Sequence, residues 1–161
     1  MAEDNLTHLD EAGRPRMVDV GGKAVTRRTA HARMRVSFPP EAARALAAKD
    51  FATAKGPVFH TAIVAGVLAA KRTHDLIPFC HPLGLDDCAI EIAMEGDDAV
   101  IDCRASVHGR TGVEMEAMTG ATVAGLTVYD MCKSLSKGIV LREAKLLEKT
   151  GGKSGDWRVA G

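Results

Sequence analysis

The sequence predicts an α+β fold in which an antiparallel sheet is built on a split β-α-β arrangement. Three features of the 161-residue chain indicate this class. Several short segments alternate apolar and polar residues with the period of two that is typical of strands. Other segments repeat apolar residues with the period of a helix. Turn-forming residues between two of the predicted strands indicate a β-hairpin, which shows that these strands are neighbours in the sheet.

The first half of the chain supplies one strand and two helices. Residues 30–36 alternate small or apolar side chains with polar and mostly basic ones, which predicts a half-buried strand with a basic outer face. Two prolines then precede a helix over residues 41–49, because proline suits the first turn of a helix. Apolar spacing predicts a second helix over residues 60–72, which ends before a loop containing two prolines.

A hairpin follows the second helix. Residues 88–94 and 101–107 each alternate apolar with polar side chains, and turn-forming residues at positions 96–98 separate them. Acidic residues accumulate here, whereas Lys and Arg are absent between Arg72 and Arg104. We therefore expect this segment to form a solvated sheet edge and turn.

A long helix and a last strand complete the predicted fold. Thr111 and Glu114 have the spacing of a capping box, which predicts a helix from there to about Lys137. Gly138 ends this helix, and residues 139–147 form the final strand. With one extra helix, this is the arrangement of ferredoxin-like folds, whose helices pack on one face of the sheet. A band of small residues on the long helix would allow close approach of another helix or the sheet: Ala117, Gly120, Ala121, Ala124 and Gly125.

Composition restricts the class of protein. The chain has 21 Lys+Arg and 21 Asp+Glu, a balance that argues against a general nucleic-acid binder. The longest uncharged apolar run, residues 62–70, is too short to cross a membrane. The N-terminal residues are acidic and polar, unlike a secretory signal, so we expect a cytoplasmic protein. The four cysteines include no CxxC pair, which is typical of reduced thiols.

The domain organisation is expected to be simple. No internal repeat or linker divides the chain, and its length is sufficient to bury a core without disulfides or a structural metal. We expect one domain over residues 1–161, with flexible arms at residues 1–16 and 150–161.

Asp130 and Lys133 are the first candidates for chemistry. They lie three positions apart on the predicted long helix, so a carboxylate and an ammonium group share one face. Spacing alone favours a surface ion pair, whereas a half-buried pair would be available for proton transfer. Glu116 lies about 21 Å from Asp130 along the axis, so one small ligand reaches both ends most simply if another subunit completes the site.

A second candidate is the loop over residues 77–83, in which two prolines hold the backbone and present His81. The imidazole ring can hydrogen-bond a heterocycle or a phosphate. His74, Cys80 and Cys88 lie close by in sequence and make zinc an alternative. Their spacing matches no usual structural zinc pattern, so we expect no metal ligand here.

Dispersed cations indicate an anionic ligand. Basic residues concentrate between positions 14 and 35, which makes this segment the expected anion-binding arm. Residues 151–155 resemble the end of a P-loop, but Leu147 stands where a glycine is needed. Backbone amides with Lys149 or Lys153 could still hold an anion there. From the residues alone, the chain binds a small anionic ligand and has the groups of an acid–base enzyme.

Several motifs together resemble one family. In chain order they are Met17-Val18-Asp19-Val20, Ala69-Ala70-Lys71-Arg72-Thr73, Asp75-Leu76-Ile77-Pro78-Phe79-Cys80-His81-Pro82-Leu83, Thr111-Gly112-Val113-Glu114-Met115-Glu116-Ala117, Tyr129-Asp130-Met131-Cys132-Lys133 and Gly151-Gly152-Lys153-Ser154-Gly155-Asp156. This order is similar to that of the cyclic pyranopterin monophosphate synthase family, the molybdenum cofactor biosynthesis protein C family. The resemblance implies a ferredoxin-like fold, a homohexamer built as a trimer of dimers, and an active site at the dimer interface.

The resemblance also implies a reaction. The substrate would be (8S)-3',8-cyclo-7,8-dihydroguanosine 5'-triphosphate, which a lyase of this family rearranges to cyclic pyranopterin monophosphate with release of pyrophosphate. The reaction needs proton transfers and neutralisation of phosphate charge but no redox cofactor, and Mg²⁺ could accompany the triphosphate. The expected partners are this small molecule and further copies of the chain, not nucleic acid or membrane.

Carried over residue by residue, the resemblance implies individual roles. Asp130 becomes the general acid or base, and Lys133 its proton donor or electrostatic partner. The pterin-side contacts become Phe79, Cys80, His81, Met115 and Glu116, with Glu114 in support. The phosphate ligands become Arg28, Lys55, Lys149 and, in addition, Lys23 or Lys153. Carboxylates suit the N–H donors of a guanine-derived ring, whereas a triphosphate requires cations.

Three other functions fit parts of the sequence. A ferredoxin-like regulatory module would bind a nucleotide without turning it over. An RNA-binding domain would use the basic arm, but the aromatic residues make up 4% of the chain, and none are placed as adjacent stacking pairs on a predicted strand. A zinc hydrolase would use the His and Cys residues around His81.

Overall fold

The computed structural model describes Leu9, Asp10 and residues 12–160 of the chain. Much of the arm predicted at residues 1–16 lies outside the described residues, namely positions 1–8 and 11. The fold is α+β, as the sequence predicts, with four helices among the described residues. None of the helices in this part of the chain is both long and apolar enough to cross a membrane.

The described chain contains seven strands and four helices. In order they are β1 (Thr26–Ser37), α1 (Pro40–Ala47), β2 (Ala52–Thr53), β3 (Gly56–Pro57), α2 (Val58–Ala70), α3 (Thr73–Leu76), β4 (Asp87–Glu95), β5 (Asp98–Gly109), α4 (Glu114–Cys132), β6 (Val140–Thr150) and β7 (Trp157–Arg158). The main sheet has five strands in the order β4-β5-β1-β6-β7. All neighbouring strands in it run antiparallel.

The predicted strands and the hairpin are confirmed, with longer bounds than the alternation suggested. In β1, Ala30, Ala32, Met34 and Val36 are buried, and the polar residues between them are partly exposed. Strands β4 and β5 pair along their length, from Asp87 opposite Ser106 to Glu95 opposite Asp98. Gly96 has a positive φ of 62° in the turn between them. Strand β4 is the sheet edge that the acidic composition predicted.

Glycines allow α2 and α4 to pack closely on each other and on the sheet. A Cβ on Gly66 would lie 2.7 Å from the backbone oxygen of Gly120 and 2.5 Å from Cδ1 of Ile90. On α4, Gly120 faces the sulfur of Cys103 and Gly125 faces Met34. The small residues therefore do allow both the helix and the sheet to approach α4, as their spacing predicted.

Two predictions about α4 are wrong. Val113 is the N-cap and Glu114 the first helical residue, so Thr111 lies two positions before the N-cap and no capping box forms. The Glu114 carboxylate instead accepts a hydrogen bond from Lys149 Nζ at 3.0 Å. The helix ends at Cys132 rather than near Lys137. A turn follows in which the Leu135 amide donates to the Cys132 carbonyl, and this turn packs the Leu135 side chain against the core.

The outer sheet face pairs charges that are separated in the sequence. Arg33 lies opposite Asp102 in the β1–β5 register and donates two hydrogen bonds of 2.9 Å to its carboxylate. Arg35 donates to Glu95 at 2.9 Å. The expected anion-binding role of the basic arm is therefore wrong for Arg33 and Arg35, because acidic residues of the hairpin already neutralise them.

We expect Gly66→Ala to lower the free energy of unfolding by about 1–3 kcal/mol, because the added Cβ meets a backbone oxygen that cannot move aside. The gain in helix propensity, about 1 kcal/mol, is too small to offset this overpacking. Urea unfolding measures the difference. Gly84→Ala is the control, since its Cβ would meet nothing within 4 Å. An unchanged stability in Gly66→Ala would contradict the close packing of the two helices.

Candidate active site

A cavity of about 1000 Å³ opens beside the N-terminal end of α4. Its walls come from the segment before β1, the start of β1, the loop at positions 79–83, the start of α4, and the end of β6 with the loop that follows. Ten of the predicted site residues line it: Lys23, Arg28, Phe79, Cys80, His81, Glu114, Met115, Glu116, Lys149 and Lys153. Residues from distant parts of the sequence therefore meet in one place.

His81 is held by the segment that precedes β1. Its Nε2 donates a hydrogen bond of 2.7 Å to the backbone oxygen of Val18. A neutral ring in this tautomer leaves Nδ1 as an acceptor. The bond also ties the loop with the two prolines to the cavity wall that Val18 and Val20 form.

Glu116 is the buried carboxylate of the cavity. Its side chain is placed inward by the first turn of α4, and the residue is only 4% exposed. Burial raises the pKa of Glu116 to about 7, and the neighbouring Glu114 carboxylate adds to the shift. Burial and the charge of Glu116 also raise the pKa of the Cys80 thiol. Glu116 can therefore exchange a proton near neutral pH, which an ordinary glutamate does not do.

Glu114 and Lys149 form an ion pair within the cavity wall. Lys149 Nζ lies 3.0 Å from Oε1 of Glu114, and both side chains are partly buried. The same ammonium group lies 3.3 Å from Oγ of Ser154. Lys149 is thus neutralised as long as no ligand is bound, and an incoming anion competes with Glu114 for it.

Further cations line the cavity. Arg28 Nε donates to the backbone oxygen of Gly109 at 3.2 Å, while Lys23 and Lys153 are exposed. Arg110 also lines the cavity, and the sequence reasoning missed it. Its position directly before the Thr111–Ala117 motif was the available signal.

Asp130 lies between two lysines at the other end of α4. Its Oδ1 is 2.7 Å from Lys133 Nζ, and its Oδ2 is 2.7 Å from Lys55 Nζ. The hydrogen bond from Lys133, followed by that from Lys55, lowers the pKa of Asp130 to about 2. The same contact with Asp130 raises the pKa of Lys133. At neutral pH the carboxylate is therefore ionised and the ammonium group of Lys133 is protonated.

The structure does not bring this cluster to the cavity. Lys55, Asp130 and Lys133 are absent from the residues that line it. Fourteen residues of continuous helix separate Glu116 from Asp130, which corresponds to about 21 Å along the axis. The predicted catalytic pair and the predicted substrate contacts thus occupy opposite ends of one rigid helix in a single chain.

The zinc alternative finds no support in the described part of the chain. No group of three or more His, Cys, Asp or Glu residues there is arranged to hold a metal ion. His74 Nε2 instead lies 3.4 Å from Asp75, and the sulfur of Cys88 lies 3.9 Å from that of Cys103.

Comparison with known proteins places the chain in a family. The model of the MoaC family matches residues 17–152. This range includes the Asp130 cluster and every cavity residue except Lys153 and Ser154. The chain belongs to the MoaC family. The family that the sequence motifs resembled is therefore confirmed.

Curated relatives of this MoaC family member come from Xanthomonas species. Proteins called cyclic pyranopterin monophosphate synthase from Xanthomonas oryzae pv. oryzae (strain MAFF 311018) and Xanthomonas axonopodis pv. citri (strain 306) are each 55% identical over 150 residues, covering 92% of this chain and 90% of the relative. A protein of the same name from Xanthomonas campestris pv. campestris (strain B100) is 55% identical over 149 residues, with the same coverage.

The protonation of Glu116 predicts a pH-dependent stability. Its pKa in the folded chain, about 7, lies above its ordinary value of 4.5, so its contribution to stability is fully present below pH 4.5 and is lost as the pH rises through 7. Between pH 5 and pH 8, we expect wild type to lose about 1–3 kcal/mol relative to Glu116→Gln. Urea unfolding across this range measures the difference. Parallel pH profiles of the two proteins would contradict the buried, protonated carboxyl group.

Proposed function

We propose that this MoaC family member is a cyclic pyranopterin monophosphate synthase. It would be a lyase of molybdenum cofactor biosynthesis that converts (8S)-3',8-cyclo-7,8-dihydroguanosine 5'-triphosphate to cyclic pyranopterin monophosphate and pyrophosphate. The names of its relatives support this activity. The observation that carries the proposal is the cavity of about 1000 Å³, in which two carboxylates of one family motif and several cations from other parts of the chain line one space.

The two kinds of charge suit the two parts of this substrate. Glu114 and Glu116 can accept hydrogen bonds from the N–H groups of a guanine-derived ring. Arg28, Lys149 and Lys23 or Lys153 can neutralise the triphosphate. Because Lys149 is paired with Glu114 in the free chain, binding of the phosphates would draw Lys149 away and release Glu114 to the ring. The substrate would then replace an internal ion pair with two contacts of its own.

Asp130 and Lys133 have protonation states that suit acid–base work. Asp130 is ionised and Lys133 is protonated, which are the states of a base and an acid. Substrate phosphates that drew Lys133 and Lys55 away would return the pKa of Asp130 toward its ordinary value and make it a stronger base. Closing the cyclic phosphate forms a new phosphorus–oxygen bond to a substrate hydroxyl, breaks the bond to pyrophosphate, and leaves the hydroxyl proton to be accepted by a base. Lys55, which also contacts Asp130, adds positive charge for the phosphates.

A second subunit would complete the site. A twofold axis across α4 would set two copies of this helix antiparallel and bring the partner subunit's Asp130 to the cavity beside Glu116. Exposed apolar side chains on α2 and α4 support such an interface: Val64 is 60%, Leu68 50% and Leu126 52% exposed. We propose that such dimers assemble as a trimer into a hexamer.

Three further parts of the proposal concern fold, cofactor and location. The strand order β4-β5-β1-β6 and the helices α2 and α4 between its strands support a ferredoxin-like arrangement. The reaction would use no redox cofactor, and Mg²⁺ could accompany the triphosphate. We place the enzyme in the cytoplasm.

We expect Asp130→Asn to slow pyrophosphate release by about 10²–10⁴-fold, because the amide can no longer accept a proton. The assay supplies freshly prepared cyclic dihydro-GTP to the purified protein, and Lys133→Ala should behave similarly. Asp86→Asn is a control, since the Asp86 carboxylate also accepts an exposed side-chain hydrogen bond, of 2.7 Å from His108, but lines no part of the cavity. Near-normal turnover in Asp130→Asn would refute its role, whereas a wild type that binds the compound without releasing pyrophosphate would favour the regulatory module.

Mixing two inactive variants tests whether the site is shared between chains. Glu116→Gln and Asp130→Asn alter opposite halves of the site, so each mixed dimer contains one site that carries both changes and one that carries neither. After the two proteins are unfolded and refolded together, we expect recovery of about a quarter of wild-type activity if they assemble at random. Separately refolded variants are the control. No recovery in mixtures that do form mixed oligomers would place both halves of each site in one chain.

A further inference from the structure

We propose that Gly152 is a positioning residue that holds the guanidinium group of Arg28 in the cavity wall. The inference rests on the proposed function for the identity of the substrate, but its contacts are independent of that identity. It concerns the loop over residues 151–156, which connects β6 to β7 and is here called the terminal loop.

The terminal loop has a defined backbone. It leaves β6 after Thr150 and returns to pair Trp157 with Lys149. Within it, the Gly151 amide donates to Oδ1 of Asp156 at 3.0 Å, and the Gly155 amide donates to the Gly152 carbonyl at 3.2 Å. The loop is therefore closed on itself and anchored at both ends to the sheet.

Gly152 lies directly against Arg28. Its φ of +81° belongs to the left-handed region that favours glycine, and a Cβ at this position would overlap Nη1 of Arg28 and lie 3.0 Å from its Cζ. On the other side, Nε of Arg28 donates to the Gly109 carbonyl at 3.2 Å. The guanidinium group thus lies between two backbone segments, and a side chain at position 152 would displace it from this place.

The same loop contacts the second partly buried cation of the cavity. Oγ of Ser154 lies 3.3 Å from Nζ of Lys149. Arg28 and Lys149 both line the cavity, as do Gly151, Gly152 and Ser154. A planar guanidinium group recognises phosphate oxygens only in defined orientations. A loop that restricts its orientation therefore acts on substrate affinity without touching the reacting atoms.

Two alanine substitutions separate the contact with Arg28 from backbone strain. Gly152→Ala combines a positive φ with overlap of Arg28, whereas Gly155→Ala has a φ of +69° and a Cβ with nothing within 4 Å. We expect Gly152→Ala to raise the KM for cyclic dihydro-GTP about tenfold with a much smaller change in kcat. Gly155→Ala should keep the wild-type KM although its melting temperature falls by a similar amount. Equal KM values in the two variants would overturn the inference.

A double-mutant cycle tests whether Gly152 acts through Arg28. In an Arg28→Ala background, where no guanidinium group remains to be displaced, Gly152→Ala should change the KM by less than about twofold. A tenfold effect that persists in this background would show a merely structural role and overturn the inference.

Measuring the binding of inorganic triphosphate tests the role of Gly152 independently of the proposed enzymatic activity. Calorimetry should show binding to wild type and about tenfold weaker binding to Gly152→Ala. A wild type that binds triphosphate but releases no pyrophosphate from cyclic dihydro-GTP would refute the proposed function, and the ratio of the two dissociation constants would still test Gly152. A wild type that does not bind triphosphate, or a variant that binds it equally well, would refute the role of Gly152.

Discussion

The continuous helix α4 is the constraint on which the rest of the candidate site depends. It places Glu116 in its first turn and Asp130 in its last, and its rise keeps the two about 21 Å apart. Close contacts of Gly120 and Gly125 with neighbouring elements hold the helix against α2 and the sheet. Because the helix can neither bend nor slide without breaking this packing, the two groups cannot meet within one chain. The proposal that a second subunit completes the site rests on this rigidity.

Ion pairs and burial set the protonation states of the carboxyl groups at the candidate site. Asp130 is kept ionised by Lys133 and Lys55, whereas burial keeps Glu116 near the point of half-protonation. Lys149 and Glu114 neutralise each other until a ligand separates them. The chain therefore contains one carboxylate that is ionised at neutral pH, one that titrates near neutral pH, and one that is paired with a lysine.

Charged residues on the outer face of the sheet pair with each other and do not line the cavity. Arg33 and Arg35 look like ligands for an anion when they are read along the sequence, yet the antiparallel register places Asp102 and Glu95 within hydrogen-bonding distance of them. Such pairs keep the open face of the sheet polar and neutral. Arg28, further toward the start of β1, instead contacts the Gly109 carbonyl and Gly152 and remains available to the cavity.

The sequence by itself determined the α+β class, the four long strands and three long helices in their order, and the family, because these depend on local periodicity and on motifs that are contiguous in the chain. It also indicated ten of the residues that line the cavity. The partner of Glu114, the end of α4 at Cys132, the pairing of the basic arm, and the contact between Gly152 and Arg28 were decided only by the tertiary structure. Apart from the end of α4, each of these is an interaction between residues far apart in sequence. Local propensity contains no information about it until the strand register and the helix packing bring its members together.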